Sequence, residues 1–310
     1  DDLVTGVQTC ALPISEKSLL DLLSRCGGEI HTLDLSKLKN LDIAGILEHC
    51  PKITSLTARN CSLLDDFLIT LAGHRHAQGI TSLNLYKNMI GAQGAKALVS
   101  MQALKTLNLS SNQIGLIETA NTDLPERLIC FDLTDENQSD EGANAIATLK
   151  NLETLDLADN QLGLKEAKAL GNGLPSLMHL NLTWNAIDDE GILEIVKLKN
   201  LISLKLSGIC IEHEGTRIIA EELPQLAFLD LSWILASLKG AEELVKMTNL
   251  TSLNLNSSRI SDESARAIAE GMPQLTYLNL SCSRITRETE QLIKDTFGHL
   301  GENLLVSLSL

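Results

Sequence analysis

Aromatic side chains are scarce in this sequence, eight in all and 3% of its residues. Positive charge is scarce too: 25 Lys and Arg stand against 40 Asp and Glu, a net charge of −15. Such a chain repels phosphate backbones and anionic lipid, so neither nucleic acid nor a membrane surface is the expected partner, and a basic protein segment is favoured. No apolar run approaches the ~18 residues of a bilayer-spanning helix. Seven cysteines, at 10, 26, 50, 61, 130, 210 and 282, include no C-x-x-C pair. Their odd count and wide spacing fit neither a disulfide framework nor a zinc site, and point to reduced thiols in the cytoplasm, the protein's own or a host's. Neither G-x-x-x-x-G-K-[ST] nor H-E-x-x-H occurs. His74-Arg-His76 is the one close histidine pair, and with no third ligand it reads as a solvated loop. No metal, no cofactor and no enzyme activity are expected.

What the chain has in excess is leucine: 61 residues, about one in five. They recur in register. Leu104-Lys-Thr-Leu107-Asn-Leu109-Ser-Ser-Asn112-Gln-Ile114 reappears as Leu152-Glu-Thr-Leu155-Asp-Leu157-Ala-Asp-Asn160-Gln-Leu162 and again from Leu177 to Ile187. Copies start at Ile30, Ile53, Ile80, Leu104, Leu128, Leu152, Leu177, Leu201, Leu226, Leu250 and Leu275, with a further start at Leu305. Within a copy, alternation at positions 4 and 6 predicts a short strand with one buried face. The Ala-rich stretches that follow, such as Gly94-Ala-Lys-Ala-Leu98 and Gly142-Ala-Asn-Ala-Ile146, predict a closely packed helix. One strand and one helix cannot bury their apolar sides alone, so copies must stack.

This pattern resembles the leucine-rich repeat family, L-x-x-L-x-L-x-x-N-x-L, over residues 30 to 310. The resemblance implies an α/β fold, a right-handed solenoid or horseshoe with a parallel β-sheet on the concave face and helices on the convex face. Asp-Glu-Gly-Ala at 140–143 and Asp-Asp-Glu-Gly at 188–191 are similar to the ribonuclease-inhibitor-like and bacterial Gly-Ala-Leu-Ala subtypes. Cys50-Pro51, Ile53 to Leu56 and Asn60-Cys61 to Asp65 resemble the cysteine-containing repeats of F-box ubiquitin-ligase adaptors. Position 9 is expected to satisfy backbone groups of the turn, through Asn88, Asn112, Asn160 and Asn185, with Cys61 as a substitute. Ile209 and Ile234 break this rule, which predicts rearranged turns in the copies starting at 201 and 226.

Residues 1–15 match no part of the repeat and read as a non-native, adapter-derived leader. Residues 16–310 are the repeat domain, about eleven copies, opening with an amphipathic helix over Ser18 to Cys26. The bare apolar end, Leu305-Val-Ser-Leu308-Ser-Leu310, and the absence of polar caps predict a piece of a longer protein. Cys130-Phe-Asp132 resembles the Cys-x-Asp nucleophile motif of bacterial repeat-linked ubiquitin ligases, but it falls on a repeat strand, where that family does not keep it.

Positions 3, 5, 7 and 8 face the open side of the sheet. Most hold Ser, Thr or Asn, yet five of the eight aromatics sit there: Tyr86, Trp184, Phe228, Trp233 and Tyr277, with His179 beside them. Trp184 and Trp233 share position 8 two copies apart, hence ~10 Å from each other, and Phe228 and Tyr277 share position 3. Large exposed rings mark partner contacts. A second candidate is acidic, Asp132, Asp135, Asp156 and Asp159 on adjacent strands, suited to a basic partner segment. The expected function is a non-enzymatic protein-interaction module, whose owner is a ubiquitin-ligase substrate receptor or a host-directed bacterial protein. The alternatives are the targeting region of an enzyme whose catalytic domain lies elsewhere, or an enzyme-capping inhibitor.

Overall fold

The computed structural model describes residues 16–115, 141–234 and 238–306. They fall into two compact units. Residues up to 115, with 141–161 and 173–177, form the first; 162–172 and 178 onward form the second. No helix among the described residues is long and apolar enough to cross a membrane.

The first unit alternates helices α1 (Glu16–Cys26), α2 (Ile43–His49), α3 (Asp65–Gly73), α4 (Ala92–Ala97) and α5 (Glu141–Ile146) with strands β1 (Thr32–Asp34), β2 (Ser55–Thr57), β3 (Ser82–Asn84), β4 (Thr106–Asn108) and β5 (Thr154–Asp156). The second contains α6 (Leu164–Gly173, its last residue in the first unit), β6 (His179–Asn181), α7 (Asp189–Ile195), β7 (Ser203–Lys205), α8 (His213–Glu222), β8 (Phe228–Asp230), α9 (Leu238–Leu244), β9 (Ser252–Asn254), α10 (Asp262–Gly271), β10 (Tyr277–Asn279), α11 (Arg287–Phe297) and β11 (Leu304–Leu305). In both units the strands are parallel and ordered as in the chain. Each three-residue strand buries its central leucine: Leu33, Leu56, Leu83, Leu107, Leu155, Leu180, Leu204, Leu229, Leu253 and Leu278 are all at most 2% exposed. The neighbours of that leucine face the other way, so a period of two along the strand separates core from open face. The architecture is the α/β repeat solenoid that the pattern predicts.

The position-9 amides do what their spacing predicts. Asn112 donates to Leu85 O (3.0 Å) and Leu109 O (2.9 Å), and its oxygen accepts from Ile90 N (2.9 Å). Asn88, Asn160 and Asn185 make the same kinds of bond, and the Cys61 thiol donates to Leu35 O at 3.2 Å. Position 8 has a second rule. Lys37, Asn60, Lys87, Ser111, Asp159, Trp184, Gly208, Trp233, Ser257 and Cys282 all adopt left-handed backbone, with φ of 53° to 68°. Gly208 and Trp233 keep it although Ile209 and Ile234 follow them, so the predicted rearrangement of these turns does not occur at position 8. Both isoleucines are buried (4% exposed), and the turn is held by inter-strand bonds such as Gly208 N to Ser232 O (2.9 Å) and Trp233 N to Asn256 O (2.9 Å).

One adjacency departs from expectation. Strand β4 pairs directly with β5, Leu107 opposite Leu155 and Asn108 opposite Asp156. The ladder therefore has no strand between the copies starting at 104 and 152, and the copy at Leu128 lies outside the described residues. The thiols also differ from a fully reduced set: Cys26, Cys50 and Cys61 are thiols, whereas Cys210 is disulfide-bonded. Burial pushes the Cys50 thiol up to about 11, and the Cys61 thiol is raised for the same reason.

Stacked copies are stapled by an aspartate at position 13. Asp65 accepts from Gly91 N (2.6 Å), Asp189 from Glu212 N (3.0 Å) and Asp262 from Thr286 N (2.7 Å), each the helix entry of the next copy. A Cβ on Gly94 would sit 2.5 Å from Asp65 Oδ1, and one on Gly215 would sit 2.4 Å from Asp189 Oδ1. The glycine two residues after position 13 in the next copy, Gly94 or Gly215, thus leaves the space that the staple occupies. The Asp262 carboxyl is held below the usual aspartate range, first by the Thr286 backbone N–H and then by Thr289. Its lowered value means the bond stabilises the fold above the unfolded-state value near ~4 and is lost as pH falls through the folded one. Asp262→Asn is expected to cost about 1 kcal/mol at neutral pH, solvent screening included. Once pH has fallen through the folded-state value, the variant and the parent should unfold at the same temperature; a difference that survives there rejects the staple.

Candidate functional site

The open face of the second unit is a grid whose rows follow strand register. At position 3, His179 pairs with Ser203, Ser203 with Phe228, Phe228 with Ser252 and Ser252 with Tyr277. Rings on alternate strands are thus separated by serines, at ~10 Å intervals set by strand spacing. Position 8 repeats the alternation as Trp184, Gly208 and Trp233.

The two tryptophans are 46% and 50% exposed, among the largest apolar exposures in the chain. They are not ~10 Å apart as spacing alone predicts: their ring centroids lie 6.2 Å apart with planes at 48°. Gly208 explains the approach. The Trp184 ring lies across it, so that a Cβ there would come 2.4 Å from Cε3 and 2.5 Å from Cζ3. With no side chain beneath it, the indole leans one strand over toward Trp233. Both tryptophans hold left-handed φ, 54° and 61°, a conformation that costs a bulky residue roughly 1–2 kcal/mol. The repeat imposes that backbone and elsewhere gives it lysine, asparagine, serine, aspartate, glycine or cysteine; only these two copies give it indoles.

Between the aromatic rows runs a polar strip. At position 5 an Asp or Asn oxygen accepts the N–H two residues on: Asn84 from Tyr86, Asn108 from Ser110, Asp156 from Ala158, Asn181 from Thr183, Asp230 from Ser232, Asn279 from Ser281. Lys205 breaks this series. Its ammonium instead lies over the Phe228 ring, 5.7 Å from the centroid, and it forms no ion pair among the described residues. Sequence reasoning missed both Lys205 and Gly208, although the departure from Asx at position 5 and the lone glycine between two tryptophans were there to be read.

The remaining candidates are dispersed. Tyr86, 40% exposed, belongs to the first unit. Asp156 is a turn residue: its oxygens accept from Ala158 N (3.1 Å) and Asn108 Nδ2 (3.2 Å). Asp159 is exposed at position 8 of the same copy. Asp132 and Asp135 lie outside the described residues. His74 and His76 are tied to Glu48 and to the Leu47 carbonyl. Among the described residues no group of three metal-ligating side chains occurs.

A family model described as Leucine Rich repeat matches residues 100–116, 148–171, 173–196 and 246–269. These four stretches are similar to leucine-rich repeats. No curated protein matches the chain. Among solved structures, an internalin C2 of Listeria monocytogenes is 21% identical over 78% of this chain and 84% of its own, with a TM-score of 0.54. An internalin of the same organism is 20% identical over 97% of this chain and 99% of its own, with a TM-score of 0.49. The likeness to the internalin C2 is one of fold.

Proposed function

We propose that this protein is a non-enzymatic scaffold that docks a protein partner on the open face of its second unit. The observation that carries this reading is the Trp184–Trp233 pair, two half-exposed indoles 6.2 Å apart in a sequence with only two tryptophans. Water gains nothing from such a pair, whereas a covering partner removes both rings from solvent at once, and tryptophan is the residue most enriched at binding hot spots. The finer reading, substrate recognition for a ubiquitin ligase, is supported by the cysteine-containing first copies, in which Cys50 ends α2 and Cys61 fills position 9.

The test uses a partner retained on the immobilised full chain, purified and titrated against parent and variants. Trp184→Ala and Trp233→Ala are each expected to cost about 2 kcal/mol of binding, roughly 30-fold in Kd, with unfolding temperature unchanged. Unaltered affinity in both variants sinks the proposal.

A further inference from the structure

We infer that the first unit carries a second docking site, independent of the tryptophan pair, for a short acidic protein segment with a bulky apolar residue beside its carboxylates. Three features point there. The first is charge. Along positions 3, 5, 7 and 8 of β1 to β4 the charged residues are Asp34, Lys37, Arg59 and Lys87, and the three cations are exposed. They sit on consecutive turns: Lys37 N donates to Arg59 O (2.9 Å), and Asn60 N to Tyr86 O (3.0 Å), the residue before Lys87. Asp34, 3.7 Å from Arg59, offsets one of them. Lys37 and Lys87 form no ion pair among the described residues, on a chain with 40 Asp and Glu whose Lys52, Lys96, Lys105 and Lys199 each reach a glutamate. The same positions of β6 to β10 hold one charge of each sign, Lys205 and Asp230.

The second is extent. From β1 to β3 the cations span ~10 Å at the spacing of neighbouring strands. At the same positions β4 carries only Thr106, Asn108, Ser110 and Ser111, and β5 then brings Asp156 and the exposed Asp159. A nucleic acid backbone or another long polyanion would run onto those carboxylates and onto a surface whose net charge is −15. Two or three carboxylates of a peptide end where the basic stretch ends.

The third is the apolar surface beside the cations. The turn that carries Lys87 also exposes Tyr86 (40%) and Met89 (41%). Met89 N donates to Leu63 O (2.8 Å), the residue before Leu64, which is 57% exposed. Asp65, next along, is half-buried and bonded to Gly91 N (2.6 Å), at the helix side of the turn. Tyrosine is among the residues enriched at binding hot spots, and methionine adapts its shape to whatever covers it. Cations flanked by such side chains suit a carboxylate followed by an apolar residue better than a bare anion, which would leave the apolar group in water.

The probe is a short synthetic peptide with glutamates on both sides of a central leucine and a fluorophore at one end, titrated with the full chain at low salt and read by fluorescence anisotropy. Saturable binding is expected, falling as salt rises. It should weaken roughly tenfold in the double variant Lys37→Glu with Lys87→Glu, and roughly tenfold in Tyr86→Ala. Lys205→Glu with Lys239→Glu changes the net charge of the chain equally, away from this site, and should weaken it far less. If the first double variant unfolds early, Lys37→Gln with Lys87→Gln makes the same comparison without new carboxylates. No saturable binding, equal binding of a peptide with glutamine in place of glutamate, or an equal loss in both double variants overturns the inference. So does binding of single-stranded DNA with none of the peptide, which makes the row a phosphate site. A silent peptide alongside a protein partner that still needs Trp184 removes this site and leaves the docking scaffold standing; a partner indifferent to both tryptophans removes the scaffold reading and leaves this site to the peptide titration.

Discussion

Replacing Asn160 with alanine is expected to lower the unfolding free energy by about 1–3 kcal/mol. Asn160 is completely buried. Its oxygen accepts from Ile114 N at 3.2 Å, and its amide donates to Leu109 O at 2.9 Å and Leu157 O at 3.2 Å. Truncation strands the Ile114 N–H inside the turn, at about 1–3 kcal/mol for a group left unpaired, whereas Leu109 O keeps the Asn112 amide. The loss should be felt on both sides, because Leu109 and Ile114 belong to β4's copy and Leu157 to β5's. Stability in a stacked array depends on such nearest-neighbour links. Urea unfolding of the full chain, with amide exchange at Ile114, checks this. A shift below about 1 kcal/mol, or protection retained at that amide, shows that other groups satisfy the turn.

Gly208→Ala is the second. Its added methyl would stand 2.4 Å from the Trp184 ring and would occupy left-handed backbone at φ 67°. The backbone term costs roughly 1 kcal/mol. The ring is exposed and free to swing away, so most of the effect falls on the tryptophan pair and little on the core. The expected results are loss of the exciton couplet of the paired indoles in far-ultraviolet circular dichroism and partner binding weakened roughly 30-fold, matching Trp184→Ala. A Ser257→Ala change, at the same repeat position but not between the two tryptophans, should leave the couplet intact. If Gly208→Ala preserves both couplet and affinity, the glycine does not set the geometry of the pair.

The sequence by itself determined the repeat, its strand and helix, the leucines that enter the core and the asparagines that hold the turns. These follow from short-range periodicity, in which burial and hydrogen-bond valence constrain each position separately. It also determined which rings face outward, since the period of two along a strand places positions 3, 5 and 7 on one side. The tertiary structure decided what lies between copies. Spacing puts Trp184 and Trp233 ~10 Å apart, and the missing side chain of Gly208 lets one indole cross the intervening strand to reach 6.2 Å. Asp156 reads as a surface carboxylate until its bonds to Ala158 and Asn108 show it holding a turn. The direct pairing of β4 with β5 is likewise invisible in a text where every copy resembles the next. Local pattern states which way a side chain points; the neighbouring copy's side chain, or its absence, states what that side chain meets.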